Sequence, residues 1–518
     1  MSPETHPYSR RWQALIVLAV SLLVISVGNT ILNVALPTIQ TELDASSSEL
    51  QWIVDGYLLV YAGLLLAAGT LGDRFGRRRA LVTGLSVFAA GSVLAAVSDS
   101  SSALIASRAL MGVGAAGIMP TTLSILTNIF PERERPKAIA IWSAVAGLGV
   151  AIGPIGGGWL IEHLDWRWIF LFNLPAVAAC LIGAYALVPE SRDPAKPKLD
   201  VVGALLSIAG LSAVVWGLIE APARGWTSAT TLGAFAAGAV ILAAFAVWER
   251  RVEQPMLELS VFRNRRFSAA SASITVVYFA LMGVIDFMTS YLQSVLGYGA
   301  LEAGYRMLPI AIGMIVAAKS AVALTARLGT KVVVASGLAI VAGALVMTTG
   351  FDASTGDGAL CLALGLMGAG IGFAMVPATE SIMGSLPREK AGIGSAMNDV
   401  VREVGGTLGV AVLGSVLAGA YASTMDPAVA ALPADAAEAA SDSVGAAQQV
   451  GTQIGGSSGA DLIATANQAF VDAMSTTAGI AAAIAIAGAV IAAALLPSRP
   501  RTTEPSLPAG ALPDGAAA

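Results

Sequence analysis

The sequence predicts an all-α polytopic membrane protein with 14 transmembrane helices, two six-helix halves separated by a two-helix insertion. Three observations predict it. Of the 518 residues, 56% are hydrophobic and only 12% charged, about half the charged share of a soluble chain and too little to cover a water-facing surface of this size. The apolar residues gather in long, continuous runs rich in Ala, Gly and Leu, where a β-barrel would show short alternating segments. The basic residues fall on alternate connections.

Runs long enough to cross a bilayer need about 20 mostly apolar residues. In order they lie at 13–36, 50–71, 80–98, 102–126, 138–160, 168–188, 200–219, 229–248, 268–291, 302–324, 331–350, 358–384, 394–420 and 470–496. The first follows Arg10 and Arg11, but it is longer than the roughly 7–15 residues of a signal-peptide core and reads as an uncleaved helix. With the N-terminus inside, 23 of the 29 Lys and Arg fall on inner segments and two, Arg167 and Arg224, on outer loops. The other four, Arg108, Arg306, Lys319 and Arg402, fall within spans. This asymmetry places both termini in the cytoplasm.

The chain then divides into a cytoplasmic N-terminus (1–12), an N-terminal half (13–188), a cytoplasmic linker (189–199), inserted helices 7 and 8 (200–248), a second linker (249–267), a C-terminal half (268–496) and a cytoplasmic tail (497–518). Within the last half, 421–468 is an outer loop rich in Ala, Gly and Ser that holds five acids and no Lys or Arg, expected to be a flexible or partly helical linker. The halves repeat. LMGVGAAGIMP from Leu110 recurs as LMGAGIGFAMVP from Leu366, each carrying a proline (Pro120, Pro377) and leading to a proline–charge cluster. Span 4 therefore matches span 12, and spans 1–6 match 9–14. Parallel halves about an axis normal to the membrane place a substrate path at their interface.

Several function classes are excluded. Cys180 and Cys361 sit in apolar runs, and the two histidines, His6 and His163, are far apart, so no disulfide framework or metal site is expected. A net charge of −5 argues against a nucleic-acid partner. No P-loop is present, and no nucleophile–base pair marks an enzyme.

Between spans 2 and 3 the chain reads Gly69-Thr-Leu-Gly-Asp73-Arg74-Phe-Gly76-Arg77-Arg78-Arg79, glycines that permit a tight turn around a lone acid among arginines. This GxLxDRxGRRR loop resembles the signature of the major facilitator superfamily. Arg108-Ala-Leu-Met-Gly112 resembles that family's Arg-bearing span 4 motif, and Gly149-Val-Ala-Ile-Gly153-Pro154-Ile-Gly-Gly157 its antiporter motif. Thr30-Ile-Leu-Asn33-Val-Ala-Leu-Pro37 resembles the span 1 signature of its fourteen-span drug:proton antiporters. By resemblance, Gly69, Asp73, Arg74, Gly76 and Arg77 form a cytoplasmic latch between the halves. Gly149, Gly153 and Gly157 repeat every four residues and so line one helix face for close packing. Pro154 adds a kink, and the resemblance implies a hinge there.

Ionisable groups within spans are expensive, at least ~2.5–3.5 kcal/mol each on insertion scales, and so mark partners or function. From the ~1.5 Å rise per residue, Asp55 and Arg108 lie about 8–9 Å below the outer end, and Asp286 and Arg306 about 6–8 Å. Each half is thus expected to carry one acid–base pair at similar depth. Glu380, after Pro377, reads either as a cavity acid or as an interfacial charge, whereas Arg402 and Glu403 read as helix-end charges. The drug antiporters resembled here carry an acid two residues before the span 1 threonine, and this chain has Gly28. The expectation is that Asp286, with Asp55 and Glu380, handles protons instead. Its bland alternative is that Asp286 only neutralises Arg306.

The resemblance implies a secondary transporter in the plasma membrane, the inner membrane of a bacterium. It would export amphipathic, cationic drugs in exchange for protons by alternating access. The implied partners are lipid, substrate and protons, with no cofactor beyond the proton gradient, and the implied working unit is a monomer. A dedicated exporter of one metabolite, lipid or antibiotic shares this fold, and a non-transporting sensor or uncoupled facilitator would fit the missing span 1 acid.

Overall fold

The computed structural model describes residues 8–45, 47–192, 200–253, 255, 257–430 and 432–497. Most of the predicted N-terminus, most of the 189–199 linker and nearly all of the tail lie outside these. Among the described residues the chain is helical, with no strand. The helices are α1 (Arg11–Glu42), α2 (Ser47–Phe75), α3 (Arg77–Ala96), α4 (Ser101–Ile129), α5 (Arg135–His163), α6 (Trp168–Leu171), α7 (Leu174–Leu187), α8 (Val201–Arg224) and α9 (Ala229–Glu249). There follow α10 (Arg265–Ser290), α11 (Ala300–Leu328), α12 (Thr330–Thr348), α13 (Asp357–Met383), α14 (Ala391–Val429), α15 (Ala434–Asp442), α16 (Val444–Ile454) and α17 (Gly456–Leu495).

Thirteen stretches among the described residues are long and apolar enough to cross a membrane, one fewer than the fourteen expected. The expected span 138–160 is covered by α5, a 29-residue helix, several of whose side chains fall outside the described set. Helix starts follow local chemistry. Asp200 caps α8 by accepting from Gly203 N at 2.7 Å, Ser228 caps α9 through Thr231 N at 3.2 Å, and prolines open α5 and α7 where no helical donor is lost. Gly76 (φ 120°) ends α2 and Gly329 (φ 86°) ends α11. Both are left-handed turns that favour glycine, at corresponding places in the two halves.

The repeat is visible in the packing. In one half α1 lies along α5, and α4 packs on both α2 and α3; in the other, α10 lies along α14, and α13 packs on both α11 and α12. The halves meet where α5 crosses α11 and α2 crosses α14, with α4 also touching α14 and α5 touching α13. The inserted α8–α9 hairpin leans on α2 and α14 from outside. Large apolar side chains such as Ile182, Tyr185, Val240 and Val490 are exposed on the bundle, a surface suited to lipid.

In the expected outer loop 421–468 most of the described residues are helical, the partly helical form of that expectation. α14, with 39 residues, is about 58 Å long, roughly twice a hydrocarbon core. Its last turns, α15, α16 and the start of α17 form a cap. Tyr421 Oη donates to Ala440 O at 3.1 Å and Gln448 Nε2 to Asn467 Oδ1 at 2.8 Å. Alanine-rich composition, read as linker, is also the strongest helix-forming composition.

Candidate functional site

At the end of the bundle that carries Arg74, Arg77, Arg78, Arg79, Arg133, Arg135 and Lys137, the basic face, Asp73 occupies the last turn of α2 rather than the loop expected. Arg77, one turn on at the start of α3, is 1% exposed and donates to Asp73 Oδ1 through Nε at 2.8 Å and Nη2 at 2.7 Å. The rest of the carboxylate turns to the other half. Gly392 N donates to Asp73 Oδ1 at 3.0 Å and Ile393 N to Oδ2 at 3.2 Å. These are orphan amides of the first turn of α14, where a helix end attracts negative charge. Arg77 Nη2 also donates to Glu389 O at 2.9 Å. The approach requires glycine: a Cβ on Gly69 would fall 2.7 Å from Gly392 O and 2.8 Å from Ala396 Cβ. A buried carboxylate thus fastens one half to the other.

Deeper along α14, a polar cluster lies in the same interface. Asp399 is 1% exposed; Arg402 Nη1 donates to its Oδ1 at 3.3 Å and Asn398 Nδ2 to the same atom at 3.4 Å. Thr379 of α13 donates to Asn398 Oδ1 at 3.2 Å. The Arg402 guanidinium sits 4.7 Å from the Tyr278 ring of α10 and 5.3 Å from that of Trp142, which belongs to α5 in the opposite half. Trp142 is fixed by its own bond to Thr122 of α4 at 3.2 Å. Tyr57 and Tyr61 of α2, stacked at 5.9 Å, complete the wall. Sequence reading placed Arg402 and Glu403 at a helix end and passed over Asp399, Trp142, Tyr61 and Tyr278. The span boundary at 394 caused it, because α14 begins at Ala391 and the three charges lie two to three turns inside. Three ionisable residues within five positions of an apolar run was the available signal.

Neither expected acid–base pair is seen among the described residues. Arg108, 1% exposed, donates Nε to Ile53 O at 3.1 Å and lies 4.4 Å from the Tyr57 ring. Ile53 and Tyr57 share one face of α2, whereas Asp55 is turned about 200° from Ile53. Arg306 bonds to Asp357 at 3.0 Å and Glu302 at 3.2 Å and covers Tyr298, not Asp286. Asp286 is exposed, beside Gly414 of α14, with no bonding partner for its carboxylate among the described residues. Depth estimates carried no azimuth, which is why both pairings missed. Glu380 is half-buried at the basic face, between Arg266 of its own half and Arg135 of the other.

The glycine face of α5 packs on α1. A Cβ on Gly153 would meet Thr30 Cβ at 2.8 Å and one on Gly157 would meet Ile31 Cγ1 at 2.9 Å; Thr30 Oγ1 donates to Gly149 O at 3.1 Å. The side chains of Asn33, Pro37 and Pro154 lie outside the described residues. The seam recurs unpredicted in the other half, where Gly405 and Gly409 of α14 press on Thr275 and Phe279 of α10, each with a Cβ position 2.9 Å from the opposing Cα. There Thr275 Oγ1 donates to Val401 O at 3.3 Å. Gly28 faces Phe88 and Asn173 within its own half, not the interface.

Two pseudo-symmetric helical halves joined across a buried, charge-bearing interface define a polytopic membrane transporter. The Major Facilitator Superfamily profile matches residues 18–410, and the chain belongs to that family. It is 34% identical over 500 residues to the tetracenomycin C resistance and export protein of Streptomyces glaucescens, covering 95% of this chain and 93% of that one. To the multidrug efflux pump LfrA of Mycolicibacterium smegmatis it is 36% identical, covering 94% and 96%. The fold resembles the human organic anion transporter MFSD10 (TM-score 0.59, 16% identity, 92% of this chain and 99% of that one).

Proposed function

We propose that the protein exports amphipathic, cationic compounds across the plasma membrane in exchange for protons, by alternating access, as a monomer whose energy source is the proton gradient. Both termini and the basic face lie in the cytoplasm under the positive-inside rule. The observation that carries this reading is the latch: the Asp73 carboxylate of one half held by the Gly392 and Ile393 amides of the other. Such a contact closes the cytoplasmic side, and breaking it lets the halves rock about the α5–α11 and α2–α14 crossings. The aromatic wall of Tyr57, Tyr61, Trp142 and Tyr278 suits flat apolar cations. The glycine seams let α1 and α5, and α10 and α14, slide without side-chain obstruction.

Ethidium efflux from proteoliposomes carrying an imposed pH gradient tests it. Efflux should follow the gradient and stop when an ionophore collapses it; efflux indifferent to the gradient contradicts the exchange. A narrower cargo is favoured by one observation, the relative named for tetracenomycin C alone. A panel of amphipathic cations separates the two, since a dedicated exporter leaves most of the panel untransported.

A further inference from the structure

We propose that Asp399 of α14 is the carboxylate that takes up and releases the transported proton, and that Arg402 passes its protonation to the opposite half. The inference deepens, and rests on, the proton-coupled reading above.

The geometry separates Asp399 from Asp286. Its Oδ1 is held by Arg402 and Asn398, while its Oδ2 is buried with no hydrogen-bond partner. A buried carboxylate oxygen left without a donor is costly when charged and relieved when it carries a proton. Asp286, by contrast, is exposed and among the described residues has no bonded cation, Arg306 being held by Asp357 and Glu302, so its protonation would release no ion pair. Asp399 has such a cation. Protonation forms an O–H bond on the carboxylate, cancels its charge and removes the attraction holding Arg402. The guanidinium then keeps its ring contacts with Tyr278 in its own half and Trp142 in the other, with no counter-charge on Asp399. Loss of the proton to water on the other side breaks the O–H bond and restores the pair.

Position on the helix links this to the gate. Asp399 lies seven residues beyond Gly392, about 10 Å along the same helix whose first amides hold Asp73. A shift of α14 driven at Arg402 therefore reaches the latch through one rigid element. The groups facing Asp399 are Arg402 and Glu403 on α14 itself, Tyr61 on α2 and Tyr278 on α10, while Tyr57 of α2 faces Glu403 and Arg108 of α4. Glu380 of α13 faces Arg266 and Arg135. Of α8, Glu220 and Arg224 bond to each other. Arg402 is thus the cation bonded to Asp399, and Glu403, one turn on, is a second acid sharing its field.

The test uses purified full-length protein with ethidium as probe. Three readings are taken: protons released on ethidium binding in detergent, gradient-driven efflux from proteoliposomes, and ethidium counterflow without a gradient. Wild type should release protons and respond to the gradient. Asp399→Asn should lose the proton release and at least ~10-fold of the gradient-driven rate, yet keep counterflow within ~3-fold; Asp286→Asn should keep all three. Gradient-driven efflux and proton release persisting in Asp399→Asn overturn the assignment while leaving the exporter reading standing. Wild-type efflux that ignores the gradient overturns both. If Asp399→Asn does not assemble, Asp399→Glu decides: the protonated-carboxyl infrared band that appears on acidification should shift in this variant, and an unshifted band overturns the proposal.

Discussion

The two crossings that join the halves are related by the internal repeat but are not built alike. Where α2 meets α14, Gly69 admits the α14 backbone to contact distance and Asp73 binds its amides. Aligning the turn glycines Gly76 and Gly329 sets Val322 opposite Gly69, Ala326 opposite Asp73 and Thr330 opposite Arg77. The α11–α5 crossing therefore has neither the glycine nor the carboxylate, and Ala326 is exposed. The halves share this packing, including both glycine seams, while among the described residues the carboxylate-to-amide fastening is seen at the α2–α14 crossing. On the proposed reading, this buried latch concentrates control of the cytoplasmic side in a few atoms, and that contrast can be broken experimentally.

The largest effect is expected from Asp73→Asn. Removing one partner of a buried ion pair costs about 3–5 kcal/mol, because Arg77 stays buried without its counter-charge. Gradient-driven ethidium efflux should fall at least ~10-fold, whereas Ala326→Asp, at the corresponding exposed place, should stay within ~2-fold of wild type. Equal losses in the two variants would erase the asymmetry.

Next in size come the seams. Gly153→Val and Gly409→Val force a branched side chain against α1 and α10, an overpacking cost of about 1–3 kcal/mol, and both should lower the thermal unfolding midpoint and the transport rate together. Gly158→Ala, with nothing within 4 Å of its Cβ position, should be silent. A harmless Gly409→Val would show that the second seam is only a likeness of sequence.

The smallest effect belongs to Glu134, which accepts two bonds from Arg11 at 2.7 and 2.9 Å on the exposed basic face. The guanidinium holds this carboxyl below its usual range. Its contribution is present above the unfolded-state pKa and is lost only as pH falls through the lower folded value. Glu134→Gln should thus lower the unfolding midpoint slightly across the neutral range, with the difference from wild type vanishing as pH falls through the folded value, and a difference appearing only in acid would contradict this sign.

Much of this was legible in the sequence because it rests on one-dimensional quantities. Run length gave the helices, the Lys and Arg split gave the basic face, and GxLxDRxGRRR marked the latch loop. What escaped depends on azimuth and on helix ends. Asp55 and Arg108 share a depth but not a face, since Ile53 and Tyr57 occupy the side of α2 toward Arg108. Asp399 and Arg402 were missed because a boundary drawn three residues late made buried charges look terminal. Gly405 and Gly409 repeat at the same spacing as Gly149 and Gly153, yet only packing on Thr275 and Phe279 identified a seam.

The central claim, that the Asp73 carboxylate holds the cytoplasmic side shut, is tested most directly by a distance across that side. Spin labels at Arg79 and Leu328, exposed on opposite halves, would be placed in a Cys361→Ser background, Cys180 being buried. Double electron–electron resonance should then give a short, narrow distance distribution for the otherwise unaltered protein and a longer, broader one once Asp73→Asn is added. An unchanged distribution in the variant would contradict the account.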